Sequence, residues 1–443
     1  MNTFYHGDCL LVLSHDITPE SVDLIYLDPP FFTGKVQKGK WQPEVMEVSY
    51  EDSKKFWSTK AGTMRAKAPE WLKHIAIKRP DFASYLYYMM ERLELCHKSL
   101  AQWGTLYLHC DYRASHYLKM ILDELFQPNN FVNEIVWCYE DIGGRAVNYF
   151  KRKHHIIFAY QKSDRRIFYI QYKPLSASTI KRYQKYFDAN GQITYQHLKD
   201  TNPGVFKKLK GIPDDLSLVW LDMNKGQPMG DWWSDISAIR VGFDESTGYP
   251  TQKPIALLER IIKSSSDENA LILDPFCGCG TAIIAAHKLN RRWIGIDINK
   301  SAYEVTRGRE VQMPLGMQQE FAKAKYISRD LEEVKQLNPR EFEVWVNRYY
   351  KAIKPSPDRG IDGIMQDGTP IQVKSFEVKY STVSEFATNI KHHTLVPQPV
   401  KQAIIVSQVG FDGTATQRQF EIETSEGIKV RFETPDTMLK LPD

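Results

Sequence analysis

The stretch LILDPFCGCGT, Leu271–Thr281, decides the fold. The apolar run Ala270–Leu273 (ALIL) leads into Asp274. Glycines follow at 278 and 280, and then a helical pattern over Thr281–Leu289. A strand, a tight turn and a helix in that order form the repeating unit of parallel α/β sheets. Glycine at 278 and 280 lets the backbone turn sharply and approach a ligand closely. Asp297 closes the next apolar run, Trp293–Ile296 (WIGI), 17 residues beyond Gly280. That is near the offset of about 20 residues at which an acid meets a ribose. The loop lacks the third glycine of GxGxxG, so a pyrophosphate-bearing dinucleotide fits poorly and a nucleoside cofactor without phosphates fits better. Cys277 and Cys279 have no second Cys or His pair at metal-ligand spacing and read as small packed residues.

Working outward, Asp23–Leu27 (DLIYL) is a short apolar run that stops at Asp28-Pro29-Pro30. Proline cannot continue a ladder, so this is a strand end. A polar stretch from about Gly34 to Lys78, with Lys35, Lys38 and Lys40 near its start, reads as a long loop, and loops of that length are usually functional or mobile. Phe82, Leu86, Met89, Met90, Leu93 and Leu100 recur at helical spacing. Thr105–Leu108 reads as a strand, Tyr117–Phe126 as a helix, Phe131–Tyr139 and His155–Tyr160 as strands, and Ile255–Ile262 as a helix. After Met317 a charged helical stretch leads to a last segment. It has a helix around Glu341–Ile353, strands near Ile371–Val373 and Ala403–Val406, and turns at Asp367-Gly368 and Asp412-Gly413. The spacing predicts a separate α/β domain there.

The composition is that of an ordinary soluble protein: 443 residues, 42% hydrophobic and 25% charged, which excludes a wholly disordered or collagen-like chain. No run of about 18 apolar residues predicts a membrane span, and the N-terminus lacks the pattern of a secretory signal. Six scattered cysteines suggest no disulfide framework, so a reducing cytoplasm fits best. The net charge of +4 permits an anionic partner. Between Gln161 and Pro213, eleven basic residues face three acids, with Tyr169, Tyr172, Tyr183, Tyr186, Phe187 and Tyr195 interleaved. That mixture suits phosphates and bases; the alternative is a solvated insertion.

Asp28-Pro29-Pro30-Phe31 follows a strand, where α/β sheets place ligands. Methyl transfer to the exocyclic amine of a base needs the nitrogen lone pair drawn out of the ring. A carboxylate accepting one N–H and a main-chain carbonyl accepting the other can do this. Asp28 offers the carboxylate, and the Pro29 carbonyl is the expected partner, since consecutive prolines fix the backbone and carry no N–H. Phe31 offers a face for an extruded base. The alternative is a rigid turn.

Together these residues resemble the S-adenosylmethionine-dependent DNA amino-methyltransferases, which methylate adenine N6 or cytosine N4. DPPF standing before DPFCGCGT matches the beta class, and HGDCL at His6–Leu10, YLHCD at Tyr107–Asp111, FVNEIVW at Phe131–Trp137 and GYPTQKP at Gly248–Pro254 fit in order. The resemblance implies a Rossmann-like class I methyltransferase fold with permuted motif order over residues 1–310, and a target-recognition insertion at 141–235. It implies that Asp274, Phe276, Gly278, Gly280 and Thr281 line the cofactor's methionine end, with Asp297 on the ribose and Asp8 near the adenine. Thr251 and Lys253 would pack beside the methionine carboxylate, while Asp28, Pro29, Pro30 and Phe31 hold the target base. Phe31 stands where the usual adenine tetrapeptide DPPY has Tyr. An Asp first still favours adenine, and cytosine N4 is the alternative. Relatives of this kind often form homodimers.

Beyond a linker at 311–334, residues 335–443 resemble the restriction-endonuclease-like fold in its Mrr-type branch, through FEVW at Phe342–Trp345, RGIDG at Arg359–Gly363 and IQVKS at Ile371–Ser375. The resemblance implies Mg²⁺ held by Asp362 and Gln372, Lys374 beside the attacking water, and Glu343 as a further charge. The alternative is an inactive relative that only binds DNA. The expected whole is a site-specific DNA methyltransferase of a restriction-modification system, acting on a flipped adenine, with a possible second endonuclease activity. Its rivals are a nuclease whose methyltransferase half senses DNA, and a nucleotide-binding oxidoreductase, in which DPPF has no role.

Overall fold

The computed structural model describes residues 2–41, 46–59, 68–139, 148–239, 245–309, 313, 315–350, 352–355 and 360–439. Expectations that fall on 42–45, 60–67, 141–147 and Arg359 lie outside the described residues. A mixed sheet of nine strands organises the first three quarters of the chain. In chain order the strands are β1 (Thr3–His6), β2 (Val22–Leu27), β3 (Leu100–Cys110), β4 (Phe131–Cys138), β5 (His154–Gln161), β6 (Trp232–Trp233), β7 (Leu271–Asp274), β8 (Arg292–Asp297) and β9 (Lys325–Ser328). Across the sheet they run β6-β4-β5-β3-β2-β7-β8-β1-β9. Only β5 runs antiparallel to both its neighbours, β3 and β4.

Alternation along β2 explains why the sheet is covered on both faces. Leu24 and Tyr26 enter one core with the helices Ile255–Ser265 and Thr281–Lys288. Ile25 and Leu27 enter the other with the helices Pro80–Ser99 and Ser115–Phe126. Successive strand residues point to opposite faces, so a near-continuous apolar run such as VDLIYL is what a doubly covered strand requires. The register pairs Ile272 with Leu24 and Leu273 with Ile25. Two strand ends far apart in sequence, at Asp274 and Asp28, therefore finish side by side, at the carboxyl edge where such sheets bind ligands.

The stretch 34–78 is more structured than a loop. Gln37–Trp41 and Met46–Tyr50 form an antiparallel hairpin, and the helices Lys54–Thr59 and Glu70–Lys78 follow. Residues 311–334 likewise do more than link. Phe321, on the helix Leu315–Ala322, packs into the core, and β9 extends the sheet beyond β1.

The last segment builds its own four-stranded sheet from β10 (Gly363–Ile364), β11 (Pro370–Lys374), β12 (Gln402–Ser407) and β13 (Lys429–Glu433), paired in that order. The β10–β11 pair is antiparallel and the others are parallel. The helix Pro339–Tyr349 covers one face through Phe342, Trp345 and Val346. The helices Tyr380–His392 and Gly413–Glu426 cover the other. Asp367-Gly368 is a turn, with Gly368 at φ +86°. Asp412-Gly413 is instead a helix start, because the Asp412 side chain accepts the Ala415 amide as an N-cap.

Candidate active site

Beyond the ends of β2, β7 and β8 lies a cavity of about 490 Å³. Asp274, Phe276, Gly278, Thr281 and Asp297 line it, as do Asp8, Asp28, Pro30, Thr251 and Lys253. Gly280 stands behind the wall. Its φ of +77° turns the chain into the helix that starts at Thr281, and an added Cβ would lie 2.5 Å from the Thr306 side chain. Gly278, at φ +51°, is pressed against Tyr249, where a Cβ would meet the ring at 3.2 Å. Both positions need the backbone freedom of glycine. The Gly278 amide donates to Asp297 Oδ2 at 2.8 Å and the Asn299 amide to Oδ1 at 2.8 Å. Each oxygen keeps a second lone pair for a ligand hydroxyl.

Asp8 caps the helix Cys9–His15, accepting from the Leu10 amide at 2.8 Å. Its oxygens also receive Arg92 Nη2 at 2.6 and 2.8 Å, and Arg92 lies over the Tyr88 ring at 3.3 Å. Burial raises the carboxyl pKa of Asp274 well above its ordinary value, with Asp28 and Asp297 adding like-charge repulsion. Burial also raises Asp297, against the two amide donors. A cavity walled by Asp8, Asp28, Asp274 and Asp297 suits a cationic ligand, whose charge would relieve that crowding.

Asp28 is held from one side only. Its Oδ2 pairs with Lys253, whose ammonium also donates to the Thr251 carbonyl at 3.1 Å. Its Oδ1 is buried, has no hydrogen-bond partner and lies 4.0 Å from His109 Nδ1. Burial raises the Asp28 pKa, with Lys253 pulling the other way. Lys253, which the resemblance places beside the cofactor's methionine carboxylate, has Asp28 as its direct partner among the chain's own side chains. Thr251, at φ +62°, is one of the few non-glycine residues in the left-handed region, and so is Phe32 at φ +54°. The Phe32 ring is buried against Phe82 and Tyr85, with centroids 5.0 and 5.5 Å away. Asp52, fully buried, accepts the Thr33 amide at 2.6 Å and Trp57 Nε1 at 3.0 Å. These anchors hold a strained turn that swings Phe31 away from Phe32.

Phe31 reaches a second cavity of about 560 Å³, which shares Thr251, Gln252 and Lys253 with the first. Pro29 lines neither. Behind Phe31 runs a hydrogen-bonded chain. The Tyr26 hydroxyl meets His109 Nδ1 at 2.8 Å, His109 Nε2 meets His155 Nδ1 at 3.0 Å, and His155 Nε2 meets the Tyr139 hydroxyl at 3.0 Å. Burial and the nearby Lys253 depress both imidazoles, His155 to about 3, so both are neutral at pH 7. The Phe31 ring is 5.5 Å from His109 and 5.1 Å from His155. Arg113, Lys151, Arg152 and Lys153 bring positive charge to the outer cavity. None of Arg92, His109, His155, Asp52 and this basic run was singled out by sequence. The signals available were His109 inside the YLHCD block and the charge run KRK at 151–153.

In the C-terminal sheet the expected residues come together, but the donor set is thin. Asp362 accepts the Val373 amide at 2.7 Å, and burial raises its pKa. Gln372 Nε2 donates to the Gly360 carbonyl at 3.1 Å, leaving its buried Oε1 without a partner. Glu343 is committed to Lys354 at 2.5 Å. Lys374 follows on the same strand, within electrostatic reach of Asp362. Among the described residues no group of three or more His, Cys, Asp or Glu could hold a metal ion. The expected Mg²⁺ ligands Asp362 and Gln372 thus bring one carboxylate and one amide oxygen, and the waters and substrate phosphates that such an ion also takes would have to complete its shell.

A DNA methylase family model matches residues 22–307. The type II methyltransferase M.EcaI of Enterobacter cloacae is 25% identical over 380 residues, covering 74% of this chain and 77% of that protein. The DNA adenine methyltransferase YhdJ of Escherichia coli K12 is 26% identical over 297 residues, covering 67% of this chain and 78% of YhdJ. The type III restriction-modification enzyme StyLTI Mod subunit of Salmonella typhimurium is 27% identical over 336 residues, covering 65% of this chain and 50% of that protein. Among the described residues, no helix is long and apolar enough to cross a membrane.

Proposed function

Because the chain belongs to the DNA methylase family and is a DNA amino-methyltransferase, we propose that its target is adenine N6 in a specific DNA site, that its methyl donor is S-adenosylmethionine, and that it serves restriction-modification. The observation that carries this is Asp28 Oδ1, a buried acceptor without a partner on a residue that lines the inner cavity and pairs with Lys253, which lines both. The inner cavity, with its glycine cradle and four carboxylates, suits a nucleoside that bears a sulfonium and an ammonium charge. The outer cavity, floored by Phe31 and rimmed by Arg113, Lys151, Arg152 and Lys153, suits an extruded nucleotide. Aspartate as the first residue of the tetrapeptide and the adenine-methylating relative YhdJ favour adenine.

When bound, S-adenosylmethionine would be held by the glycine cradle and the carboxylates of the inner cavity and would supply an electrophilic methyl group. Asp28 Oδ1 accepts one N–H of the amine; the resemblance, rather than the cavity lining, assigns the other to the Pro29 carbonyl. Lys253 keeps the carboxylate charged and oriented through Oδ2. As the N–C bond forms and the S–C bond breaks, the surplus amine proton passes to Asp28 Oδ1. His109 and His155, both neutral, wedge Phe31 in place without adding a charge that would repel the cationic cofactor. The chain's contribution is positioning, which well-aligned reactants turn into large rate gains.

The test is DNA sequencing from cells that express the chain. N6-methyladenine at one recurring site is expected, and its loss in Asp28→Ala. N4-methylcytosine at that site would overturn the adenine assignment. Methylation surviving Asp28→Ala would overturn the site.

For residues 335–443 the donor set favours a DNA-binding relative of the restriction-endonuclease-like fold. A Mg²⁺-dependent endonuclease is the second reading, favoured by the unpartnered Gln372 Oε1 beside Asp362.

A further inference from the structure

We infer that Phe150 is the side chain that enters the DNA stack as the target base leaves it; this rests on the flipped-base reading above. Phe150 is 98% exposed, the most exposed of the large hydrophobic side chains among the described residues. Its neighbours in sequence, exposed though several of them are, border a cavity. Tyr149, Lys151, Arg152, Lys153 and His154 line the outer cavity that ends on Phe31, so Phe150 alone in this run turns away from it. The run is pinned at both sides of Phe150. The Arg152 guanidinium lies 4.1 Å from the Tyr112 ring centroid and 5.2 Å from that of Tyr149, and the Tyr139 amide donates to the Lys153 carbonyl at 3.0 Å. The chain then enters β5, which carries His155.

An aromatic ring held out into water in the run that borders a base-sized cavity, directly before three cations that can grip phosphates, fits one occupant: the gap that an extruded base leaves in a duplex. Extrusion breaks pairing and stacking, and apolar wedges that fill such a gap are a known remedy in bent or opened DNA. Lys151, Arg152 and Lys153 would hold the backbone on either side while the ring replaces the lost stacking partner.

The test uses the full chain, S-adenosylmethionine and two duplexes carrying the site mapped by sequencing. In one the target base is paired; in the other it faces an abasic position. Phe150→Ala is expected to lower kcat/KM on the paired duplex by about tenfold or more and to stay within about threefold of wild type on the abasic one, where little pairing must be broken. Phe150→Trp should keep activity on both. With 2-aminopurine as the target, the fluorescence rise on binding should be lost in Phe150→Ala and kept in Phe150→Trp. Equal activity of Phe150→Ala and wild type on the paired duplex overturns the inference. So does an equal loss on both duplexes, which would mark a docking or folding role. A change confined to sedimentation, with kinetics intact, overturns it in favour of contact with a second copy of the chain. A wild-type protein that methylates neither duplex removes the flipped-base reading itself, and this inference with it.

Discussion

Replacing Lys253 with Met leaves Asp28 as a carboxylate with neither oxygen partnered. The Lys253 side chain is 7% exposed and that of Asp28 18%, so little water can compensate. Removing one member of such a pair costs about 3–5 kcal/mol while the survivor stays charged. The carboxyl can escape by taking a proton, at about 1.36 kcal/mol for each pH unit above its unfolded value. Against the ordinary 3.8, that route limits the loss at pH 5 to about 1.6 kcal/mol. At pH 8 protonation costs more than leaving the charge bare, and the full 3–5 kcal/mol applies. The sign follows from Asp28 being raised above its unfolded value. Its favourable share of stability is complete below 3.8 and is lost as the pH climbs through the folded value, which Lys253→Met moves still higher. Urea unfolding of wild type, Lys253→Met, Asp28→Asn and Asp28→Asn/Lys253→Met at pH 5 and pH 8 measures this. The single variant should lose more at pH 8 than at pH 5. The double variant should recover to within about 1 kcal/mol of Asp28→Asn, the remainder being the missing bond to the Thr251 carbonyl. Equal losses at the two pH values, or a double variant as weak as the single, would refute the reasoning.

Asp28→Ala should abolish methyl transfer yet hold S-adenosylmethionine affinity within tenfold, about 1.4 kcal/mol, by calorimetry; a larger loss would mean that base and cofactor are not handled by separate residues. Gly278→Val should weaken cofactor binding by tenfold or more, because φ is +51° and a branched side chain would meet Tyr249; normal affinity would count against the cradle. Neutralising the exposed Lys207, Lys208 and Lys210 should flatten the dependence of log affinity on log salt by about 0.9 for each phosphate no longer neutralised, and an unchanged slope would mark them as a solvated face. Purified protein with Mg²⁺ should bind DNA without cutting it; cleavage that Lys374→Ala stops without harming methylation would restore the endonuclease reading.

What could be read from the chain was local. Strands such as DLIYL and ALIL announce themselves by apolar runs that stop at proline or aspartate, and the glycine loop by its spacing. The contacts that complete the site are not local. Lys253 meets Asp28 across 225 residues, Arg92 meets Asp8 across 84, and His109 meets His155 across 46. No periodicity encodes such pairs; they arise when sheet order brings distant strand ends together. The stretch 34–78 misled for another reason. Its hairpin strands and the helix Lys54–Thr59 are short and rich in polar residues, and the apolar anchors Trp57 and Leu72 stand too far apart to mark a helical or strand period. Asp412-Gly413 carried a turn signature that an N-cap shares, and only the following amides separate the two.

The position of β9 bears on how such a chain could be cut or recombined. β9 belongs to the sheet of the methylating half but lies only eleven residues before the helix Pro339–Tyr349. Arg329, at its end, reaches Asp16 through Nε at 2.9 Å and is roofed by the rings of Trp345 and Tyr349, while the Trp345 indole donates to the Ser328 carbonyl at 2.8 Å. A graft that joins a foreign tail at residue 310 would strip β1 of its neighbour and leave a bare strand edge, the kind of surface on which chains aggregate. A graft at residue 335 would keep the strand but uncover Arg329 and its buried acid. Exchange of tails between relatives is therefore expected to succeed only where the incoming segment brings its own equivalent of Trp345, so the two halves must be inherited with a matched seam.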